Sequence, residues 1–344
     1  VGPGKKSQTS SAKQAALQTG SQSLPAHILA NKRAGHSAFH YSVHFSKRIV
    51  FGGLILTVIA LLGALAPSIA PIDSAISPLH IDLTRVNLPL FASGHLLGTD
   101  YMGRDVLAQV AWGARASLSV GLFAALAAVT FGSLWGSVSA FAGGIVDAVM
   151  MRIVDGLLAI PSIILLLAIN SLISTPCLVD AAPAWVLSLF RVTQYSFGLL
   201  PLFTVVVVIS ATTWLESARI SRAKITAVKE EEYIAAATAL GSGPWHMITR
   251  HLLPNAAIVL MVEGTLLVSD AVLMEAGLSF LGLGLGPSTP SWGTMLSSAQ
   301  LSVIEGNWWA VLIPGLLITI TVSAVNLLGE GWLELIHVKT LPSA

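Results

Sequence analysis

The chain has 344 residues, 54% of them hydrophobic and only 10% charged, with a formal net charge of +1. A soluble domain carries roughly a quarter charged residues, so this composition, with a mean hydropathy of +0.78, excludes a single water-soluble core and sends the apolar surface into lipid. The one cysteine, Cys177, excludes an intrachain disulfide and a cysteine zinc cluster.

The first segment, residues 1–46, is rich in Ser, Gln, Ala, Gly and Lys up to Leu24 and reads as a largely disordered N-terminal extension. His36, His40 and His44 recur every fourth residue and would share a helix face. Such a stripe can bind a metal, but Phe39, Tyr41 and Phe45 beside it suit a helix lying on a membrane surface. The apolar run after Arg48 is too long for a signal peptide and is followed by Pro67 and Pro71.

Six apolar runs are long enough to cross a bilayer, which takes about 20 residues. They lie near Ile49–Ala70, Ala116–Phe141, Gly156–Ser174, Phe197–Leu215, Ala256–Gly277 and Trp308–Leu328. The expected organisation is an extension (1–46), a first span (47–72), an external loop (73–114), a core with five further spans (115–331) and a cytoplasmic tail (332–344). Lys and Arg are concentrated ahead of the first span and between the fourth and fifth, whereas Arg85, Arg104, Arg115 and Arg191 are alone on the other side. Both termini and the stretch 216–255 are therefore expected in the cytoplasm.

In the loop before the second span, Asp105 reads as a helix cap with Arg104 paired locally; the other reading makes these residues part of a docking surface. Gly132 and Gly136 stand four apart and predict close helix approach in lipid. Asp147, Arg152 and Asp155 read as a mutually paired group.

The stretch 216–255 has its own helical grammar. Glu230, Glu231 and Glu232 precede an alanine-rich run, acids where a helix dipole favours them, and Gly241 with Gly243 and Pro244 ends it. The spacing predicts a helix over 229–240 and a second over 245–253 that stops at Pro254. Further on, Glu263 and Asp270 are seven apart in the fifth span and fall on one helix face. An ionised carboxylate at membrane depth does not favour lipid, so they read either as an interfacial acid and an Asp270 hydrogen-bonded to Ser269 or to a neighbouring helix, or as a lining for a passage that favours cationic groups. Glu275 lies off that face.

The run from Glu232 to Asn255, EYIAAATALGSGPWHMITRHLLPN, resembles the signature loop of bacterial ATP-binding-cassette importer permeases. Leu97 to Leu118, Gly132 to Pro161, EAGLSFLGLGLGPSTPSWGTML from Glu275 to Leu296, and Trp308 to Gly331 are similar, in order, to the dipeptide and oligopeptide branch. Ala235 and Thr238 depart from the usual loop pattern, and Glu330 replaces a commoner Asp.

The resemblance implies an all-α integral membrane protein of the type I importer permease fold: six transmembrane helices with a cytoplasmic coupling-helix hairpin. It implies that Glu232, Tyr233, Ala236, Ala237, Gly241, Ile248, Leu253 and Pro254 couple the chain to ATPase subunits. The implied partners are a second, homologous permease, two ATP-binding-cassette subunits or domains and an external solute-binding protein, in a bacterial inner membrane. ATP and Mg would be bound by those partners. This chain has no phosphate-cradling G-x-x-x-x-G-K-S/T loop, no nucleophile–base pair and no Cys/His metal spacing, so no catalytic residue or cofactor of its own is expected. The rival reading is a transporter driven by an ion gradient, which would carry inverted repeats and broken ion-binding helices.

Overall fold

The structure, a computed structural model, describes residues 47–72, 74–92, 94–173, 199–286 and 288–340. The N-terminal extension with its histidine stripe, Cys177 and Arg191 lie outside the described residues. What is described is helical, with two isolated β-bridges in the loop before the second span and no named strand.

Helix α1 (Lys47–Ile69) is apolar all round. Its large residues, among them Phe51, Leu54, Val58 and Leu61, are exposed, while Gly52, Ile59, Gly63 and Ala66 are buried. Facing lipid with bulk and neighbours with small residues is how helices pack where burial of apolar area gives no driving force. Gly52 lies against Ala324 of α10 (Trp309–Thr340), and Gly63 against the backbone of Arg115 in α2 (Val106–Ala142).

Helix α2 starts ten residues before the expected Ala116. The reason is local: Asp105, in extended conformation, accepts a hydrogen bond from Ala108 N and caps the helix there. Its main neighbour is α5 (Leu199–Lys229). A Cβ at Gly132 would stand 2.5 Å from the Trp214 carbonyl oxygen, and one at Gly136 would collide with that of Ala218. The glycine pair packs α2 onto α5, as its spacing predicts.

The third span is broken. Helix α3 (Gly144–Leu158) and α4 (Ser162–Ile173) meet at 92° across Ala159, Ile160 and Pro161. Helix α5 also departs from expectation, since it continues past Leu215 to Lys229 and takes up the first part of the stretch read as loop. Its cations are satisfied there: Lys229 Nζ donates to the C-terminal carbonyls of α2 at Ala140 (3.1 Å) and Phe141 (3.0 Å). Arg222 pairs with Asp147 (2.5 Å) and Arg219 with Asp155 (2.5 Å). The expected mutual pairing of Asp147, Arg152 and Asp155 is therefore corrected: both acids reach across to α5, where a guanidinium donates two N–H groups to each carboxylate.

A short hairpin follows, made of α6 (Glu232–Ala239) and α7 (Pro244–Met247). Pro254 does not stop the second arm. A π turn, Ile248–Leu252, carries the chain directly into α8 (Leu253–Phe280), with Pro254 in the first turn, where its missing N–H costs nothing. One helix had no counterpart in the hydropathy reading, α9 (Trp292–Ile304), started by a capping box between Ser291 and Thr294. Helix α10 runs on through Trp332 to Thr340.

Among the described residues four helices are long and apolar enough to cross a membrane, and two bent pairs, α3 with α4 and Trp245–Ala257 with Val259–Phe280, bring the number to as many as six when each pair counts as one span.

Candidate functional site

At one end of the bundle the α6–α7 hairpin projects from the junction of α5 and α8. Beneath it, Ile225, Val228, Ile234, Met247, Ile248 and Leu252 form a closed apolar core. Above, Leu240 is 88% exposed and Trp245 64%. The turn between the arms is a full Schellman motif: Ser242 N donates to Ala237 O and Gly241 N to Thr238 O, with Gly241 at φ 84°. A left-handed residue at this position favours glycine, and no neighbour lies within 4 Å of where a Cβ would stand, so the tip is open.

The eight residues attributed to coupling divide between these two layers. Glu232, Tyr233, Ala236, Gly241 and Pro254 are exposed, while Ala237 and Leu253 are half-buried against the core and Ile248 is buried in it. Only the first group presents a surface; the others hold the hairpin in place.

The acids of α8 part company. Glu263 is 6% exposed, beside Ser217 and Glu216 of α5, and neither carboxyl oxygen closes a hydrogen bond among the described residues. A buried carboxylate left so is costly unless a cation or proton answers it. Asp270 is exposed and lines a small cavity of about 70 Å³ with Glu216, Thr212 and Thr213 of α5 and Ser162 of α4. The expected bond from Ser269 to Asp270 is absent: the Ser269 hydroxyl donates instead to Asn326 of α10, 2.9 Å away, because Ser269 sits on the buried side of the helix.

Glu275, which the sequence placed only as lying off the face of Glu263 and Asp270, is a buried structural hub. It is fully buried, yet the Ser117 hydroxyl donates to one oxygen (2.9 Å) and the Ser279 hydroxyl to the other (2.8 Å). Ser279 in turn accepts from Leu285 N and Ser117 from Trp292 N. Through these bonds one carboxylate ties α2, α8, the glycine-rich segment after α8 and the start of α9 into a single node. The E-x-x-x-S spacing of Glu275 and Ser279, one helical turn, was the available signal.

The opposite end carries residues 71–105. Asp100 gathers the amides of Met102 and Arg104, the Arg104 guanidinium (2.7 Å) and the Gln109 amide. His95 meets Asp105 at 2.6 Å. Arg104 thus pairs locally. Asp82, at the surface, accepts from the Thr84 hydroxyl and amide, which hold its carboxyl below the usual carboxylate range. No group of three or more His, Cys, Asp or Glu able to hold a metal occurs among the described residues.

Comparison with known proteins agrees with this architecture. The family model described as "Binding-protein-dependent transport system inner membrane component" matches residues 106–340. The dipeptide transport system permease protein DppC of Bacillus subtilis is 32% identical over 286 residues, 83% of this chain and 80% of that protein. The oligopeptide permease protein OppC of the same organism is 32% identical over 83% of this chain and 84% of its own length. The di/tripeptide permease protein DppC of Pseudomonas aeruginosa is 33% identical over 85% of this chain and 88% of its own. With a span-forming helical core, a projecting hairpin and this match over most of its length, the chain belongs to the binding-protein-dependent transport system inner membrane components and is a permease subunit of an ATP-binding-cassette importer.

Proposed function

We propose that the chain forms half of a passage for short peptides and converts ATP-driven motion of partner subunits into opening of that passage. The observation that carries the reading is the hairpin: a rigid two-armed projection with an apolar core below and Leu240, Trp245 and the Gly241 turn exposed above. Glu232, Tyr233, Ala236, Gly241 and Pro254 face an ATPase partner, with Ala237, Ile248 and Leu253 fixing the arms. Two ATPase subunits, a second permease and an external binding protein complete the complex, and ATP is hydrolysed by the partners alone.

Helix α5 supplies the lever. Its 31 residues span about 45 Å at 1.5 Å each, from the hairpin to the far half of the bundle. The pairs Asp147–Arg222 and Asp155–Arg219 clamp α3 to it, so a push on the hairpin moves both. Glu263 and Asp270 lie along the α5–α8 seam, where Asp270 with Glu216 draws cationic groups such as a peptide amino terminus. In this reading the hairpin end, residue 229 and both termini are cytoplasmic, and Asp82 is external.

The test is uptake of a dipeptide by the complex in proteoliposomes. Uptake is expected to need ATP, the ATPases and the binding protein together, and Gly241→Trp is expected to abolish it while the protein stays inserted, because bulk in a left-handed turn holds the hairpin off its partner. Normal uptake by Gly241→Trp would remove the docking assignment. Uptake without ATPases on an ion gradient would restore the ion-driven reading. Cysteine labelling from outside intact cells at position 82 and not at 229 checks the orientation.

A further inference from the structure

Toward the end of the bundle that carries residues 71–105, α2 and α5 part and leave a cavity of about 630 Å³. That is within the range of small-molecule sites, roughly 300–1,000 Å³. Its walls are apolar, with Val120 and Phe123 of α2 facing Leu202 and Val206 of α5. The polar side chains in the wall can all donate a hydrogen bond. Arg115 lies with its guanidinium carbon 5.7 Å from the Trp112 ring centroid, and no acid pairs with it among the described residues. Thr289 also lines the cavity; it is 4% exposed, and its hydroxyl has no hydrogen-bond partner among the described residues. Ser119 adds a second hydroxyl, and no carboxylate lines the space among the described residues.

A cation, a buried hydroxyl lacking a partner and an apolar wall together describe a receptor for an anion with a greasy body. The orphaned Thr289 hydroxyl matters most, because a buried polar group is left unpaired at a cost that a ligand oxygen removes. A neighbouring groove of about 580 Å³ between α2 and α8 makes the contrast: it has no charged lining residue, which suits an acyl chain or a partner helix and nothing that carries charge.

We propose that this cavity is a carboxylate-binding station on the passage. Arg115 takes the carboxylate by charge-assisted hydrogen bonds, Thr289 donates to it from the buried side, and the apolar wall receives the adjoining side chain. For a peptide the bound part is its C-terminal residue. The assignment of the cargo rests on the reading of the chain as half of a peptide passage; the assignment of the cavity rests on its own residues.

The experiment uses the complete transporter in proteoliposomes, with Cys177→Ser to clear the background and Phe123→Cys as a reporter on the cavity wall. The rate of thiol labelling at 123 is followed as alanyl-leucine, alanyl-leucinamide or N-acetyl-leucine is added, with the binding protein left out of the labelling step. The two free acids are expected to protect at about tenfold lower concentration than the amide, the factor that one charge-assisted hydrogen bond carries. Arg115→Gln is expected to erase that ratio, Arg115→Lys to keep part of it, and Thr289→Val to reduce it a few-fold. Equal protection by acid and amide, or a ratio that survives Arg115→Gln, overturns the proposal. Labelling that answers to the lipid composition of the vesicle and to no added acid also overturns it, since Arg115 would then hold a lipid phosphate. Protection by N-acetyl-leucine in a transporter that imports no peptide would support the cavity and remove the peptide cargo.

Discussion

Two glutamates on α8, twelve residues apart in the numbering, are both buried, and their surroundings treat them in opposite ways. Glu275 receives a hydroxyl on each oxygen, and those hydroxyls carry the amides of Leu285 and Trp292 behind them. Glu263 lies beside Ser217 and Glu216 with neither oxygen in a closed hydrogen bond among the described residues. The first is built into the frame; the second is buried without being tied into it. Burial by itself therefore says little about the role of a membrane-embedded acid, and the number of donors around it says a great deal.

The comparison is tested most severely by Glu275→Ala. Removing the acceptor strands two buried hydroxyls and loosens the segment that leads to α9, so the variant is expected to lose about 3 kcal/mol, read by equilibrium unfolding in mixed micelles. Next is Ser279→Ala, expected to cost about 2 kcal/mol, because it withdraws a donor from Glu275 and an acceptor from Leu285 N. Ser117→Ala, which leaves Ser279 in place, is expected to cost about 1 kcal/mol. At the other acid the same chemistry is expected to matter little: Glu263→Gln leaves stability unchanged or raises it by up to about 1 kcal/mol, since no closed bond is lost and a buried charge is removed. A loss at Glu263→Gln equal to that at Ser279→Ala would break the distinction.

Function sharpens it from the other side. Neutralising both seam acids, Glu263→Gln with Asp270→Asn, is expected to slow uptake of a cationic solute several-fold more than that of a neutral one of equal size. Equal losses, or none, would show that the seam does not sense charge.

Several features were legible because they are local. Gly241 closes a turn that only a left-handed residue completes, and its place after an alanine-rich helix announces it. The four-residue spacing of Gly132 and Gly136 announces close packing without naming the partner, which is α5. Asp105 announces a cap, though hydropathy began the second span ten residues later, since the first turns of α2 are buried against the loop and α9 rather than in lipid.

The features that decide the site were not local. Asp147 and Asp155 read as partners of Arg152 because sequence shows neighbours first, and their guanidiniums are 75 and 64 positions away on α5. Glu275 and Ser117 are 158 positions apart. Helix α9 escaped because its polar and small residues lack the apolar run of a span, and it forms where Ser291 and Thr294 cap it over the buried Trp292.

The sequence by itself determined that the chain carries helices apolar enough for lipid, where its cations cluster along the chain and where the hairpin turns, because these follow from hydropathy, charge and backbone geometry along a short window. Which acids are satisfied, which cation lies over a cavity with no acid partner among the described residues and which helix runs into the hairpin were decided only by the tertiary structure. Those properties belong to pairs of distant residues, and no single segment contains both halves of a hydrogen bond that spans the bundle.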